Sequence, residues 1–171
     1  MLTVQFRDLN PAVVTAVAAA FADIDAFDVR QGDIWSGLPA DAVVSPSNSY
    51  GWMNGGIDAV YVERFGDDIE TRLKACIAST PEKKLFVGEA MVIPTGDREV
   101  PNLIAAPTME FPQPVPNTIN AFLAFRAVLR AVNHCGFDVI LCPGLATLTG
   151  CMLPEVSAQQ MRRAWDGFIA S

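Results

Sequence analysis

Residues 137–143, FDVILCP, form a continuous apolar run with no helical period. A run of this kind reads as a strand covered on both faces, which places it in the middle of a sheet with helices above and below. The rest of the chain supplies those layers, because strand text and helix text alternate. LTVQF (2–6), FDVRQ (27–31) and DAVVSP (41–46) read as strands. GEAMVIPT (88–95) and PNLIAAPT (101–108) read as two more, joined by a hairpin-like GDREVP. Between them, NPAVVTAVAAAFADI (10–24) has the signature of a helix start, with Asn10 at the N-cap and Pro11 at the first helical position. IDAVYVERFGDDIETRLKACIAS (57–79) is helical with a break at Gly66. NTINAFLAFRAVLRAVNHCG (117–136) places Ile119, Phe122, Leu129 and Val132 at helical spacing and stops at Gly136. A last helix starts near Pro154 and carries Met161, Ala164, Trp165 and Phe168 on one face. The expected fold is α/β: a three-layer α/β/α sandwich with a mixed, mostly parallel sheet of about six strands, as one domain over residues 1–171.

The apolar fraction of 51% and charged fraction of 18% fit a globular chain able to bury a sizeable core. No apolar run reaches a membrane span of about 18 to 20 residues. The N-terminus MLTVQFRDLN lacks the basic and apolar regions of a signal peptide, so a cytoplasmic location is expected. A net charge of −7 argues against non-specific binding to nucleic acid or to an anionic membrane. It also means that an anionic ligand has to be held by backbone amides and helix N-termini, not by a basic patch. The four cysteines (Cys76, Cys135, Cys142, Cys151) form no CxxC pair and His134 is the single histidine, so no metal site is expected. His134 precedes Cys135 and Gly136 at a helix end, where it reads as part of a C-terminal cap.

In sheets of this type ligands bind beyond the carboxyl ends of the strands, where loops lead into helices. Two loops qualify. In CPGLATLTGCMLPE (142–155), Gly144, Thr147, Thr149 and Gly150 offer small side chains, hydroxyls and open amides ahead of a helix, which suits a diphosphate. The same composition is also ordinary turn chemistry. The loop is neither a P-loop nor a dinucleotide fingerprint, and no cofactor is expected. In VVSPSNSYGWMNGGID (43–58), Gly55 and Gly56 allow positive φ and close approach of a ligand. Asp58 falls in the first helical turn, where it either stabilises the helix start or faces a ligand and activates water. Asn48 either organises a turn or addresses a sugar hydroxyl. Trp52 is either a plug of the core or a lid over a flat ligand. Asp33, in QGDIW, either caps its loop or accepts from an exocyclic amine as a buried carboxylate.

Taken together these segments resemble the macro domain family, which binds ADP-ribose. The usual family pattern is G-D-I, a short strand, N-A-A-N, then a glycine run and V-D-G. Here it reads Gly32-Asp33-Ile34, VVSPSN, and Gly55-Gly56-Ile57-Asp58. GEAMVIPTG is similar to the family's G-x-A-x-x-T/P-x-G strand, and LCPGLATLTGCMLPE to its second ligand loop, so the resemblance runs from about residue 28 to the end. It implies that Asp33 binds the adenine amine, with amides near Ile34 on the same side. Asn48 and Asp58 would address the distal ribose as the catalytic pair. Gly55, Gly56 and Ile57 would line the ribose and diphosphate, and Thr147, Leu148, Thr149 and Gly150 would wrap the diphosphate. The chain departs from the pattern at Ser45, where the first asparagine stands in the family, and at Leu148, in place of a glycine. Gly150 and Cys151 occupy the region of a loop aromatic, whose place Trp52 would take. The helix after Asp58 lacks the histidine found in part of the family.

The resemblance implies a ligand such as ADP-ribose or an ADP-ribosylated substrate. Three functions remain open at this level. One is hydrolysis of protein-linked ADP-ribose, O-acetyl-ADP-ribose or ADP-ribose 1''-phosphate. The second is a module that binds ADP-ribose without chemistry. The third is a divergent pocket for another nucleotide-like metabolite.

Overall fold

The computed structural model describes residues 2–171. Six strands form one sheet: β1 (Thr3–Asp8), β2 (Phe27–Gln31), β3 (Ala42–Ser45), β4 (Met91–Pro94), β5 (Asn102–Ala105) and β6 (Val139–Cys142). Their order is β2-β1-β6-β3-β5-β4, all parallel except the antiparallel β4–β5 pair. The expected mixed, mostly parallel α/β/α sandwich is the observed architecture, and the FDVILCP strand lies inside it between β1 and β3.

Five helices cover the sheet: α1 (Pro11–Ala20), α2 (Gly56–Phe65), α3 (Asp68–Ala78), α4 (Asn120–Cys135) and α5 (Pro154–Ile169). Their starts and stops have local causes. Asn10 caps α1 by accepting from the Ala12 N–H at 3.0 Å, with Pro11 behind it. Gly66, at φ 83°, separates α2 from α3, and Gly136, in the left-handed region at φ 71°, ends α4.

Strand alternation divides the core in two. Val4, Phe6, Ala42, Val44, Ile104, Ile140 and Cys142 face α1, α4 and α5. Val43, Leu103, Ala105 and Leu141 face α2 and α3. This two-sided burial is why the strands read as continuous apolar text.

The connectivity also locates a crevice. β6 leads into α5 on one face of the sheet, whereas its neighbour β3 leads into α2 on the other. Adjacent strands whose connections leave in opposite directions open a gap between their carboxyl ends, and that gap is where such sheets bind ligands.

Candidate functional site

A cavity of about 490 Å³ lies in this gap, within the range of sites for drug-sized ligands. Its floor crosses five strand ends. Gly32 and Asp33 follow β2, Arg7 and Asp8 end β1, Pro143 and Gly144 follow β6, Ser47 and Asn48 follow β3, and Thr108 and Met109 follow β5. Four strand spacings of ~4.8 Å make it roughly 19 Å long, so it suits an elongated ligand. The two loops singled out in the sequence form its walls. Asp33, Ile34, Asn48, Trp52, Gly55, Gly56, Ile57, Asp58, Thr147, Leu148, Thr149 and Gly150 all line it. The loops approach each other across it: a methyl group on Gly56 would stand 3.6 Å from Leu148 Cδ2.

Asp58 sits in the first turn of α2 and is buried. The Ser45 hydroxyl donates to Asp58 Oδ1 at 2.5 Å. The other carboxylate oxygen has no protein partner among the described residues and is not sealed off, so it is open to the cavity. Burial pushes the carboxyl up to about 7; the Ser45 hydrogen bond opposes this and the nearby Glu70 carboxylate adds to it. Tyr61, beneath it, donates its O–H to the Val44 carbonyl at 2.8 Å, and burial followed by the charge of Asp58 raises its ionisation well above the usual range. The result is a carboxyl with one fixed and one free oxygen that changes charge near neutrality, as a general base requires. Ser45→Ala removes the one contact that favours the charged form. The carboxyl-carbon NMR titration midpoint of Asp58 is expected to move upward from about 7 in the unliganded protein. An unmoved midpoint would show that Ser45 does not control it.

Asn48 does the work of a turn. Its Oδ1 accepts from the Tyr50 and Trp52 amides at 3.1 and 3.2 Å, and its Nδ2 donates to the Trp52 carbonyl at 2.9 Å. Its side chain therefore shapes the wall that carries Trp52. Trp52 is no plug of the core: it is 39% exposed, stacks on Tyr50 at 5.3 Å and lies 6.2 Å from the Phe111 ring. Asp33 caps its loop, the first of its two expected roles, and is not a buried carboxylate. It is exposed, because β2 is an edge strand, and one of its oxygens accepts from the Trp35 N–H at 2.8 Å at the start of a short 3-10 turn (Ile34–Gly37). Cys151 is not on the cavity wall. At φ 52° the backbone turns its exposed side chain toward the Leu148 and Thr149 carbonyls.

The second loop owes its shape to close backbone packing. A Cβ on Gly150 would meet the Ala146 carbonyl oxygen at 2.5 Å, and one on Gly144 would meet Asp8 Oδ2 at 2.8 Å. Asp8 holds this loop by accepting from the Gly144 N–H at 3.0 Å. Sequence reasoning missed Asp8 and Arg7, although a charged pair directly after the apolar strand LTVQF marks a strand end. Arg7 is the one cationic side chain on the cavity wall among the described residues. It is not a free cation. Its four terminal N–H groups are committed to the Phe6 and Asp28 carbonyls, Gln5 Oε1 and Asp28 Oδ2, at 2.7 to 2.8 Å. Three buried side-chain atoms lack a hydrogen-bond partner among the described residues: Arg7 Nε, Ser47 Oγ and Thr108 Oγ1. All three residues line this cavity.

A family model described as "Macro domain" matches residues 44–161. The chain belongs to the macro domain family. A protein of Aquifex aeolicus (strain VF5), described as uncharacterized, is 32% identical over 124 residues, covering 72% of each chain. The macrodomain of Mycobacterium tuberculosis DarG superposes on this macro domain with a TM-score of 0.67 at 20% identity, over 80% of this chain and 87% of that one. Thermosipho africanus DarTG, solved in complex with ADP-ribose, gives 0.65 at 14% identity over 81% of this chain and 38% of that one. At these identities the structural likenesses establish the fold. Among the described residues, no helix of this macro domain is long and apolar enough to cross a membrane.

Proposed function

We propose that this macro domain binds ADP-ribose or a close derivative and hydrolyses an ADP-ribosyl bond. The bond is one to a protein side chain, or that of O-acetyl-ADP-ribose or ADP-ribose 1''-phosphate. The observation that carries this reading is the free, cavity-facing oxygen of Asp58, next to the glycine-rich start of α2 and across from the Gly144–Gly150 loop. The cavity has the length of a ligand with two sugars and a diphosphate. Its walls offer amides and no uncommitted cation, so the diphosphate is gripped by peptide groups. Asp33 marks the adenine end and Asp58 the distal ribose. As a carboxylate, Asp58 takes a proton from water; the water oxygen bonds to the anomeric carbon of the distal ribose. The bond from that carbon to the substrate's side-chain oxygen breaks, and the electron pair leaves with that oxygen.

A second reading, a module that binds without chemistry, is favoured by Asn48. Both ends of its amide serve the turn, which leaves Asp58 as the main polar group for the ribose. Calorimetric titration with ADP-ribose tests the ligand, and release of ADP-ribose from a modified protein separates the two readings. Wild type is expected to bind, and Asp33→Ala to bind roughly tenfold more weakly, as loss of a hydrogen bond to a charged group implies. Binding of another nucleotide but not ADP-ribose would replace the ligand, and equal affinity of the variant would remove Asp33 from the site.

A further inference from the structure

The glycine-rich wall that leads into Asp58 rests on α3. Gly51 lies directly on that helix: a Cβ there would stand 3.0 Å from Ile77 Cδ1 and 3.1 Å from Leu73 Cγ. The Met53 side chain is buried in the same core as Ile69 and Leu73. The Met53 N–H donates to Glu70 Oε2 at 3.2 Å. Asn48 holds the Tyr50 and Trp52 amides, but among the described residues the Asn54 and Gly55 amides have no hydrogen-bond partner. Met53 is therefore the last fixed point before the glycines turn into α2. The second oxygen of Glu70 accepts from the Lys74 ammonium, one turn along α3. An ordinary i,i+4 pair keeps to the surface of its helix. This one reaches off the helix to the backbone of the loop that becomes the cavity wall.

We propose that Glu70 is a positioning residue for the reaction at Asp58: it pins the Met53 amide, and with it the turn into α2, and together with Lys74 it tunes the field at the Asp58 carboxyl. This rests on the reading of Asp58 as the group that activates water. α2 begins three residues after Met53, so a shift of that amide carries Gly55, Gly56 and Asp58 with it. The two glycines bring no side chain that could hold the turn in its place. The charge of Glu70 acts through space. Burial is the main cause that brings the Asp58 carboxyl up to about 7; the Ser45 hydrogen bond opposes it, and the Glu70 carboxylate adds to it. Lys74, of opposite sign, works against Glu70. The other titratable or charged groups around Asp58 are Tyr61 on its own helix, Cys142 on β6, and Arg7, Asp8 and Asp33 on the cavity wall. Tyr61 and Cys142 are kept neutral by burial, and Arg7 is committed to Asp28.

Three variants separate the two roles. Glu70→Gln keeps an acceptor for the Met53 N–H and removes the charge. Glu70→Ala removes both. Lys74→Met leaves the Glu70 charge uncompensated. In the unliganded protein the carboxyl-carbon NMR midpoint of Asp58 is expected to fall below about 7 in both Glu70 variants and to rise above it in Lys74→Met. The pH at which turnover reaches half its plateau should move with it. In Glu70→Ala, solvent exchange of the Met53 amide is expected to quicken, and ADP-ribose binding to weaken, each on the order of tenfold; Glu70→Gln should stay within about threefold of wild type in both. A merely structural role would not move the Asp58 midpoint in opposite directions. Midpoints that stay put, or that move alike in Glu70→Gln and Lys74→Met, would overturn the tuning, and unchanged Met53 exchange in Glu70→Ala would overturn the pinning. The titration and the exchange are read without ligand. A wild type that fails to bind ADP-ribose would therefore overturn the reading beneath, and these two measurements would still decide the role of Glu70.

Discussion

Asp58→Asn is expected to lower hydrolytic turnover by roughly 10²- to 10⁴-fold, the usual contribution of a positioned general base, with a much smaller change in ADP-ribose affinity. The amide keeps an acceptor for the Ser45 hydroxyl and fills the same space, so the loss reports on proton transfer. In the wild type, turnover rises as pH passes through about 7, where the carboxyl gains its charge, and levels off above. Stability should run the other way. The folded-state pKa is raised from 3.8 to about 7, so the folded protein binds the proton more tightly than the unfolded chain. The stability this confers is complete below about pH 4 and is lost as pH rises through the folded value. Above that value a buried charge remains, and asparagine removes it. The variant is therefore expected to be more stable than wild type at pH 8 by roughly 2 to 4 kcal/mol, and about equal to it at pH 4. Denaturant unfolding at the two pH values measures this. A variant that is less stable at pH 8, or as active as wild type, would remove Asp58 from the role given to it.

Gly150→Ala is expected to have the second-largest effect. The new methyl group would lie 2.5 Å from the Ala146 carbonyl oxygen, which already accepts from the Met152 N–H at 2.9 Å. Backbone cannot yield as a side chain does, so the loop has to shift, and with it the Gly150 carbonyl that accepts from the Val115 N–H at 2.7 Å. Overpacking of this kind costs about 1 to 3 kcal/mol. Displacing a binding wall by about 1 Å weakens function on the order of 100-fold. Gly167→Ala is the matched control. It lies inside α5 with nothing within 4 Å of the new carbon, so it should stabilise the protein by about 0.5 to 1 kcal/mol and leave binding unchanged. Calorimetry and thermal melts of both proteins decide the matter. Unaltered affinity in Gly150→Ala would show that this loop does not hold the ligand.

The layers of this fold could be read from the residues because each strand is covered on both faces or on one, and each helix carries its own start and stop signals. Asn10–Pro11 and Gly136 are local devices and need no partner to be recognised. The cavity wall was readable where a single loop made it, as with Gly55–Asp58 and Thr147–Gly150. It was unreadable where strand order made it. Nothing in LTVQFRD says that β1 sits between β2 and β6, which is what brings Arg7 and Asp8 to the cavity. Ser47 and Thr108 are joined by pairing across 61 positions of chain, beyond the reach of local pattern. Of the two roles open to Asp33, capping its loop was a local property and holds, whereas burial depended on the place of β2 in the sheet, and β2 is an edge strand. Cys151 fell outside the wall because a left-handed residue reverses the direction of its side chain, and only glycine announces that conformation in a sequence.

Glycines recur along the crevice wall, at Gly32, Gly55, Gly56, Gly144 and Gly150, and that decides how this protein will answer to genetic dissection. If peptide groups grip the diphosphate as proposed, systematic truncation to alanine will pass over that part of the contact surface in silence, since it deletes side chains and leaves amides in place. Added bulk at glycines, or proline in place of an amide donor, is the perturbation to which such a surface responds.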